Sequence, residues 1–376
     1  MKRLVCLDGL RGVLACYVML SHTMPFAPLP RWLHWLFQHG GAGVDVFFIL
    51  SGLVIMQSLA SFHYQSAPFL IARVARIYPV FLVTFAFAVA IQPLETGFER
   101  MAWIGPDSQA HYIWSEGWPS GGGVGIAAHL TMTHGLFPNG TLPDVWVGFL
   151  GAAWSLSTEW QFYIVALLIG QRLGVLRLAW LFLALSATAT LWQTLGPDAW
   201  QFSRAFLPNK AQYFALGIVS TIVVQQRSEH RGSYIAVLAA TLMVCAIQGG
   251  IDKLLPPLLW TLCLAAQLQS SSAAKREPRG WFLPFAAMVG RVLQSRPLVW
   301  LGAVSYCIYL VNEPVQKLLG VTLAALVQGD AVLFTALWLP GAVVLPIFAS
   351  WWLHERIERP AQRYGRGLAA STVSVA

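Results

Sequence analysis

The side chains best placed to do chemistry are ionisable groups set in otherwise apolar stretches, where a charge is expensive and is kept for a reason. Arg11 and His22 share the first such stretch. Eleven residues of α-helix make about three turns, return to within roughly 20° of the same face and rise about 16 Å. One stripe thus carries a guanidinium near one end and an imidazole near the other. Taken singly, Arg11 is an ordinary flanking arginine and His22 a satisfied buried histidine. The next apolar stretch opens with GVDVFFILSG and puts Asp45 at the depth expected of His22. A carboxylate there could accept a hydrogen bond from one ring nitrogen and leave the other to act as a general base on a hydroxyl. The bland alternative for Asp45 is a structural pair or a helix N-cap.

Further along, RVARIYP carries Arg73 and Arg76, which fall on one helical face and could grip phosphates, or simply flank a span. WSLSTEWQFY sets Ser155, Glu159 and Tyr163 at i, i+4 and i+8, one polar stripe with an acid that needs a partner or a wet cavity. GAVSYCIYLVNEP holds Ser305 and Tyr306, with Tyr306, Tyr309 and Glu313 sharing a face; interhelical hydrogen bonds alone would account for them. SGGGVG at 120–125 follows no strand of an α/β unit and makes a poor nucleotide loop. His111, His129 and His134 have no metal-ligand spacing, and the five scattered cysteines form no CxxC or Cys/His pattern, so no metal site and no disulfide framework are expected.

The elements that must position these residues follow from composition. The 376 residues are 57% hydrophobic and 11% charged, with mean hydropathy +0.60, too little polar surface for a water-facing chain. A net charge of +8 might suggest nucleic acid. The basic residues, however, sit between apolar runs as topology signals and form no soluble basic face, so no nucleic acid partner is expected. Spans of about 20 apolar residues read at 10–28, 43–61, 77–93, 146–169, 176–195, 211–226, 233–250, 254–269, 298–320 and 331–353. With the amino terminus in the cytoplasm, only Arg31, Arg100, Arg204, Lys210, Lys253 and Lys317 of the 24 basic residues fall outside.

The expected fold is therefore an all-α integral membrane bundle of about ten transmembrane helices with both termini cytoplasmic. A long outer loop, 94–145, lies between the third and fourth helices; its aromatics predict an ordered cap. Residues 270–296 read as a cytoplasmic linker, 1–366 as one membrane domain and 367–376 as a disordered tail. Without an internal repeat or paired broken helices, a transporter or flippase for a lipid-linked glycan or small polar molecule is the second reading.

Taken in order, LDGLRG with His22, GVDVFFILSG, RVARIYP, WSLSTEWQFY, GAVSYCIYLVNEP and the closing ERIERP resemble the motifs of the acyltransferase-3 family of membrane O-acyltransferases. The likeness spans nearly the whole chain and begins with a basic residue, a ten-residue gap and a histidine, here Arg11 and His22. It departs at Asn312, where members often carry His, so that position receives no catalytic role. No soluble esterase-like domain follows the membrane region, and whether a separate acyl-relay protein serves the chain is left open.

The resemblance implies transfer of an acyl group, commonly acetyl, from cytoplasmic acyl-CoA to a hydroxyl of a sugar or surface polysaccharide. Acyl-CoA would be a co-substrate, with no bound cofactor and no metal. It also implies a multi-pass protein of the bacterial inner membrane. His22 and Asp45 would be catalytic, as base or acyl carrier and its orienting acid, and Arg11, Arg73 and Arg76 would hold the CoA phosphates. Ser51, Trp154, Ser155, Glu159, Tyr163, Ser305 and Tyr306 would support the site or bind the acceptor.

Overall fold

The computed structural model describes residues 4–115, 117–119, 121–225, 231–271 and 282–373. Among them the chain is all-α. In order, the helices are α1 (Val5–Thr23), α2 (Arg31–Phe37), α3 (Gly40–Ser61), α4 (Ser66–Ile91), α5 (Ala110–Ile113), α6 (Gly122–Leu130), α7 (Trp154–Leu195), α8 (Ala211–Val224), α9 (Arg231–Gln248), α10 (Ile251–Ser271), α11 (Phe282–Leu293), α12 (Arg296–Val327), α13 (Ala331–Leu353) and α14 (Arg359–Val373). Seven stretches of the described residues are long and apolar enough to cross a bilayer: Val5–Phe26, Arg31–Ser61, Ser66–Ile91, Gly151–Leu195, Arg231–Gln248, Arg296–Val327 and Ala331–Thr372. The protein is accordingly an integral membrane protein of several spans.

Every apolar segment read from the sequence is helical, but the boundaries move for physical reasons. The two segments expected at 146–169 and 176–195 are two helical stretches of α7 that meet at a kink at Gly174 (φ 69°, ψ 174°), within the gap expected between them. A left-handed φ of that kind favours glycine. The run's 42 residues would otherwise exceed twice the length that a bilayer core of about 30 Å requires. Helix α4 begins eleven residues before the expected 77, carrying Arg73 and Arg76 inside it, and Pro79 sits within the helix and does not start it. The turn between α9 and α10 is made by Gly249 and Gly250, both with positive φ. Helices α2, α11 and α14 lie outside the expected spans. The expected linker 270–296 contains α11, with 272–281 outside the described residues. Of residues 367–376, read as a disordered tail, 367–373 belong to helix α14.

The helices group into two compact units. One comprises Met1–Leu14, Gly41–Gln65 and Thr158–Ala303; the other comprises Ala15–Gly40, Ser66–Ser157 and Val304–Ala376. In the first, α3 and α8 touch backbone to backbone. A side chain at Gly52 would run into Phe214 O, and one at Gly217 into Ile49 O. In lipid, where apolar surfaces gain little by meeting one another, such close approach of small residues is how helices bind. Phe162, Phe182 and Phe214 fill the space beside this contact.

In the second unit, α14 lies along α4, with Gly365 against Ala75. The long loop between α4 and α7 is ordered as expected. Met101 and Trp114 from the loop are buried with Phe26, Leu323, Phe334 and Trp338, and Phe26 stacks on Trp114 with ring centroids 3.7 Å apart.

Candidate active site

His22 lies one residue before the end of α1, where the chain turns through Met24–Phe26. Its Nδ1 stands 3.1 Å from Oδ1 of Asn312 on α12. The orientation of that amide is settled by its other end, since Asn312 Nδ2 donates to Ile308 O at 2.9 Å and to Tyr309 O at 2.7 Å. Both amide hydrogens are thereby used, so Oδ1 must accept, and Nδ1 of His22 must carry the proton. A neutral His22 then has its lone pair on Nε2, the tautomer a general base requires.

The neighbours hold this geometry from one turn further along. Gln316, one turn beyond Asn312, donates to Thr23 Oγ1 at 2.9 Å and to Ala342 O at 2.9 Å. The Trp338 indole donates to Thr23 O at 3.0 Å. Asn312, Gln316 and Thr23 are fully buried. Two helices, α12 and α13, thus fix the end of α1 through polar groups, and each such contact is worth more for position than for net stability. Beside His22 in sequence, Ser21, Met24 and Pro25 join His34, Phe37, Gln38, Ser108 and Gln109 around an open cavity of about 250 Å³.

Asp45, in the other unit, has a different partner from the one expected. Its Oδ1 accepts from Lys210 Nζ at 2.6 Å, both side chains being almost completely buried. The orienting place on His22 Nδ1 belongs to Asn312, and the carboxylate proposed for it is committed to an ammonium, a far stronger partner for a buried anion than a neutral imidazole. Lys210 had been read only as an outer basic residue.

The remaining predicted positions divide between the units. In the first, Arg11 is half-buried on α1 and Ser51 buried on α3. Glu159 accepts from Tyr163 OH at 3.0 Å, one turn away, so the predicted polar stripe is satisfied in part along its own helix. In the second, Arg73 and Arg76 are half-buried on α4, with the Arg73 guanidinium 5.8 Å from the centre of the Phe69 ring. Tyr306 OH donates to Ile77 O at 2.7 Å, tying α12 to the helix that carries both arginines. Trp154, Ser155 and Ser305 are buried, and Ser155 OH donates to Ala152 O at 3.3 Å.

Glu313, next to Asn312, accepts from Gly151 N–H at 3.3 Å. A side chain at Gly151 would collide with that carboxylate. Two loop histidines complete the setting. His129 and His134 are buried and stacked, with ring centroids 4.1 Å apart. Burial pushes His129 down to about 3, assisted by its neighbour His134, and burial pushes His134 down to about 4. Both are therefore neutral at pH 7 and serve the packing of the loop.

The sequence model of an acyltransferase domain, the acyltransferase-3 family, matches residues 4–355. The chain belongs to that family. It is also similar to the acyltransferase MdmB of Streptomyces mycarofaciens, with 26% identity over 96% of this chain and 92% of that protein. A shorter likeness, 32% identity over 24% of this chain and 46% of the other, is to protein 2 in the picA locus of Rhizobium radiobacter. No solved structure matches the chain. The protein is thus a membrane acyltransferase transferring groups other than amino-acyl groups, and the family implies an acyl donor and a hydroxyl acceptor.

Proposed function

We propose that this acyltransferase moves an acetyl group from acetyl-CoA to a hydroxyl of a sugar, surface polysaccharide or glycosylated small molecule, with His22 as general base. The observation that carries the reading is the Asn312 amide, which commits the proton of His22 to Nδ1 and the lone pair to Nε2. In the proposed reaction, Nε2 takes the acceptor's O–H proton as its oxygen attacks the thioester carbonyl. The tetrahedral intermediate then expels the CoA thiolate, which recovers the proton from His22. Asn312 takes the orienting role first expected of Asp45. Arg73 and Arg76, in the same unit as His22, are assigned to the donor's phosphates, for which guanidinium forks are well shaped. The cavity beside Ser21 and Met24 is assigned to the acceptor, with Trp154, Ser155, Ser305 and Tyr306 of that unit in supporting roles.

The proposed setting is a bacterial inner membrane. The chain would cross it ten times with both termini in the cytoplasm, so that donor and acceptor approach from opposite sides. Mass spectrometry of surface glycans from cells with and without the gene tests the reaction and the acceptor together. Loss of an acetyl mass from one glycan supports the reading, and unchanged glycans turn it toward a lipid or small-molecule acceptor. Isotope-labelled acetyl-CoA supplied to the purified protein tests the donor: label must appear on the acceptor, and label remaining wholly on CoA contradicts the assignment.

A further inference from the structure

A second buried cluster lies outside the proposed catalytic machinery. Cys307 on α12 and His354 and Glu358 on the π-helical turn His354–Glu358 bring one sulfur, one nitrogen and one oxygen within 4.8 Å of one another. Cys307 Sγ is 3.3 Å from Glu358 Oε2, and His354 Nδ1 is 2.7 Å from the same oxygen. The second carboxylate oxygen, Oε1, accepts from Gln362 Nε2 at 2.8 Å. Cys307 is fully buried, Glu358 is 3% exposed, and the His354 side chain is 14% exposed. Short π turns inside α-helices recur at functional sites, because the extra residue re-aims side chains.

The charge balance of this cluster is unusual. Glu358 is as deeply buried as Asp45, yet among the described residues no lysine or arginine pairs with it. Its partners are a thiol, an imidazole and an amide. A buried carboxylate without a cation is costly, and here that anion is met by two good metal ligands while its far oxygen is held by an amide.

We propose that Cys307, His354 and Glu358 form a binding site for a divalent transition-metal ion of the zinc class. Sulfur, imidazole nitrogen and carboxylate oxygen are the donor set zinc accepts, at about 2.3 Å for sulfur and about 2.0–2.2 Å for nitrogen and oxygen. Those bond lengths in a tetrahedral arrangement separate nitrogen from oxygen by roughly 3.3–3.5 Å and sulfur from oxygen by roughly 3.5–3.7 Å. The sulfur–oxygen separation must open by roughly 0.2–0.4 Å. The nitrogen–oxygen separation must open by roughly 0.6–0.8 Å, as expected when an N–H···O hydrogen bond is exchanged for two metal bonds. On binding, the Cys307 thiol loses its proton to solvent and the His354 ring proton is carried on Nε2, leaving Nδ1 to coordinate. Gln362 would orient the ligating carboxylate from outside the site. The ion would clamp the start of α14 to α12. The 51 residues between Cys307 and Glu358 hide the site from any reading of local ligand spacing.

The test uses the full chain purified in detergent, equilibrated with Zn²⁺ or Co²⁺ and then desalted. The proposal expects about one zinc per chain by elemental analysis. With cobalt it expects a thiolate-to-metal charge-transfer band that Cys307→Ser abolishes. Gln362→Ala, which leaves all three ligands in place, should weaken zinc binding by roughly tenfold or more. Two results overturn the proposal: a wild-type chain that holds metal only far below one per chain, or a cobalt band that persists in Cys307→Ser and so comes from another cysteine. The first would leave a hydrogen-bonded imidazole–carboxylate pair. Metal content is read without acyl transfer, so failure here is separate from failure of the proposed reaction.

Discussion

Two buried polar pairs, one in each unit, do opposite things with the same problem. Asp45 and Lys210 are both ionic, both nearly inaccessible and 2.6 Å apart. Each satisfies the other through one short hydrogen bond. His22 stands 3.1 Å from Asn312, an amide whose other end is anchored in its own helix. That pair settles which nitrogen of the imidazole is basic without neutralising it. An ion pair in a membrane protein is most easily read as structure, whereas an imidazole oriented by a neutral amide is poised for proton transfer.

The comparison breaks most severely at His22. His22→Ala should lower acyl transfer by about 10²–10⁴-fold, the usual worth of a general base, while membrane insertion and thermal unfolding stay as in wild type. Asp45→Ala should act on stability, because it strands the Lys210 ammonium in the interior at a cost of about 3–5 kcal/mol. Asp45→Ala/Lys210→Met should recover much of that loss, as measured by thermal unfolding in detergent. An Asp45→Asn protein of normal stability but without activity would instead place the carboxylate in the chemistry. Asn312→Leu removes the amide's three hydrogen bonds, among them the one that sets the tautomer of His22, so a fall of about three- to tenfold in kcat is expected with donor KM unchanged.

The smallest effect is on pH dependence, at His129 and His134. Their folded values are pushed down to about 3 and about 4, below the ordinary 6.5 of an imidazole, so the unfolded chain binds protons that the folded chain refuses. Their contribution to stability is complete above pH 6.5 and is lost as pH falls from there toward 4 and 3. Thermal unfolding at pH 7.5 and at pH 5 should show a lower Tm at the acid end. His129→Phe should narrow that difference.

The sequence made the helices and the first-helix histidine legible because both are local signals. An apolar run of membrane length announces a span, and eleven residues from Arg11 to His22 announce a shared face. Partners were not legible, because Asn312 lies 290 residues from His22 and Lys210 lies 165 from Asp45. A depth match alone suggested Asp45 for His22, and it said nothing of which neighbouring helix would face which. Asn312 was set aside because it departs from the histidine that family members often carry, although an amide anchored at both N–H groups can perform the same orienting task. The helical course of 367–373 was missed for a related reason, since Gly365 and Gly367 suggest a coil until Gly365 is seen against Ala75.

The account rests on His22 as the group that moves the acceptor's proton. Its most direct test is the initial rate of acetyl transfer by purified wild-type and His22→Ala protein at saturating acetyl-CoA, with donor binding measured on the same samples. The account predicts unchanged donor binding and a rate at least about a hundredfold lower in the variant. A His22→Ala protein that transfers acetyl at the wild-type rate would contradict it.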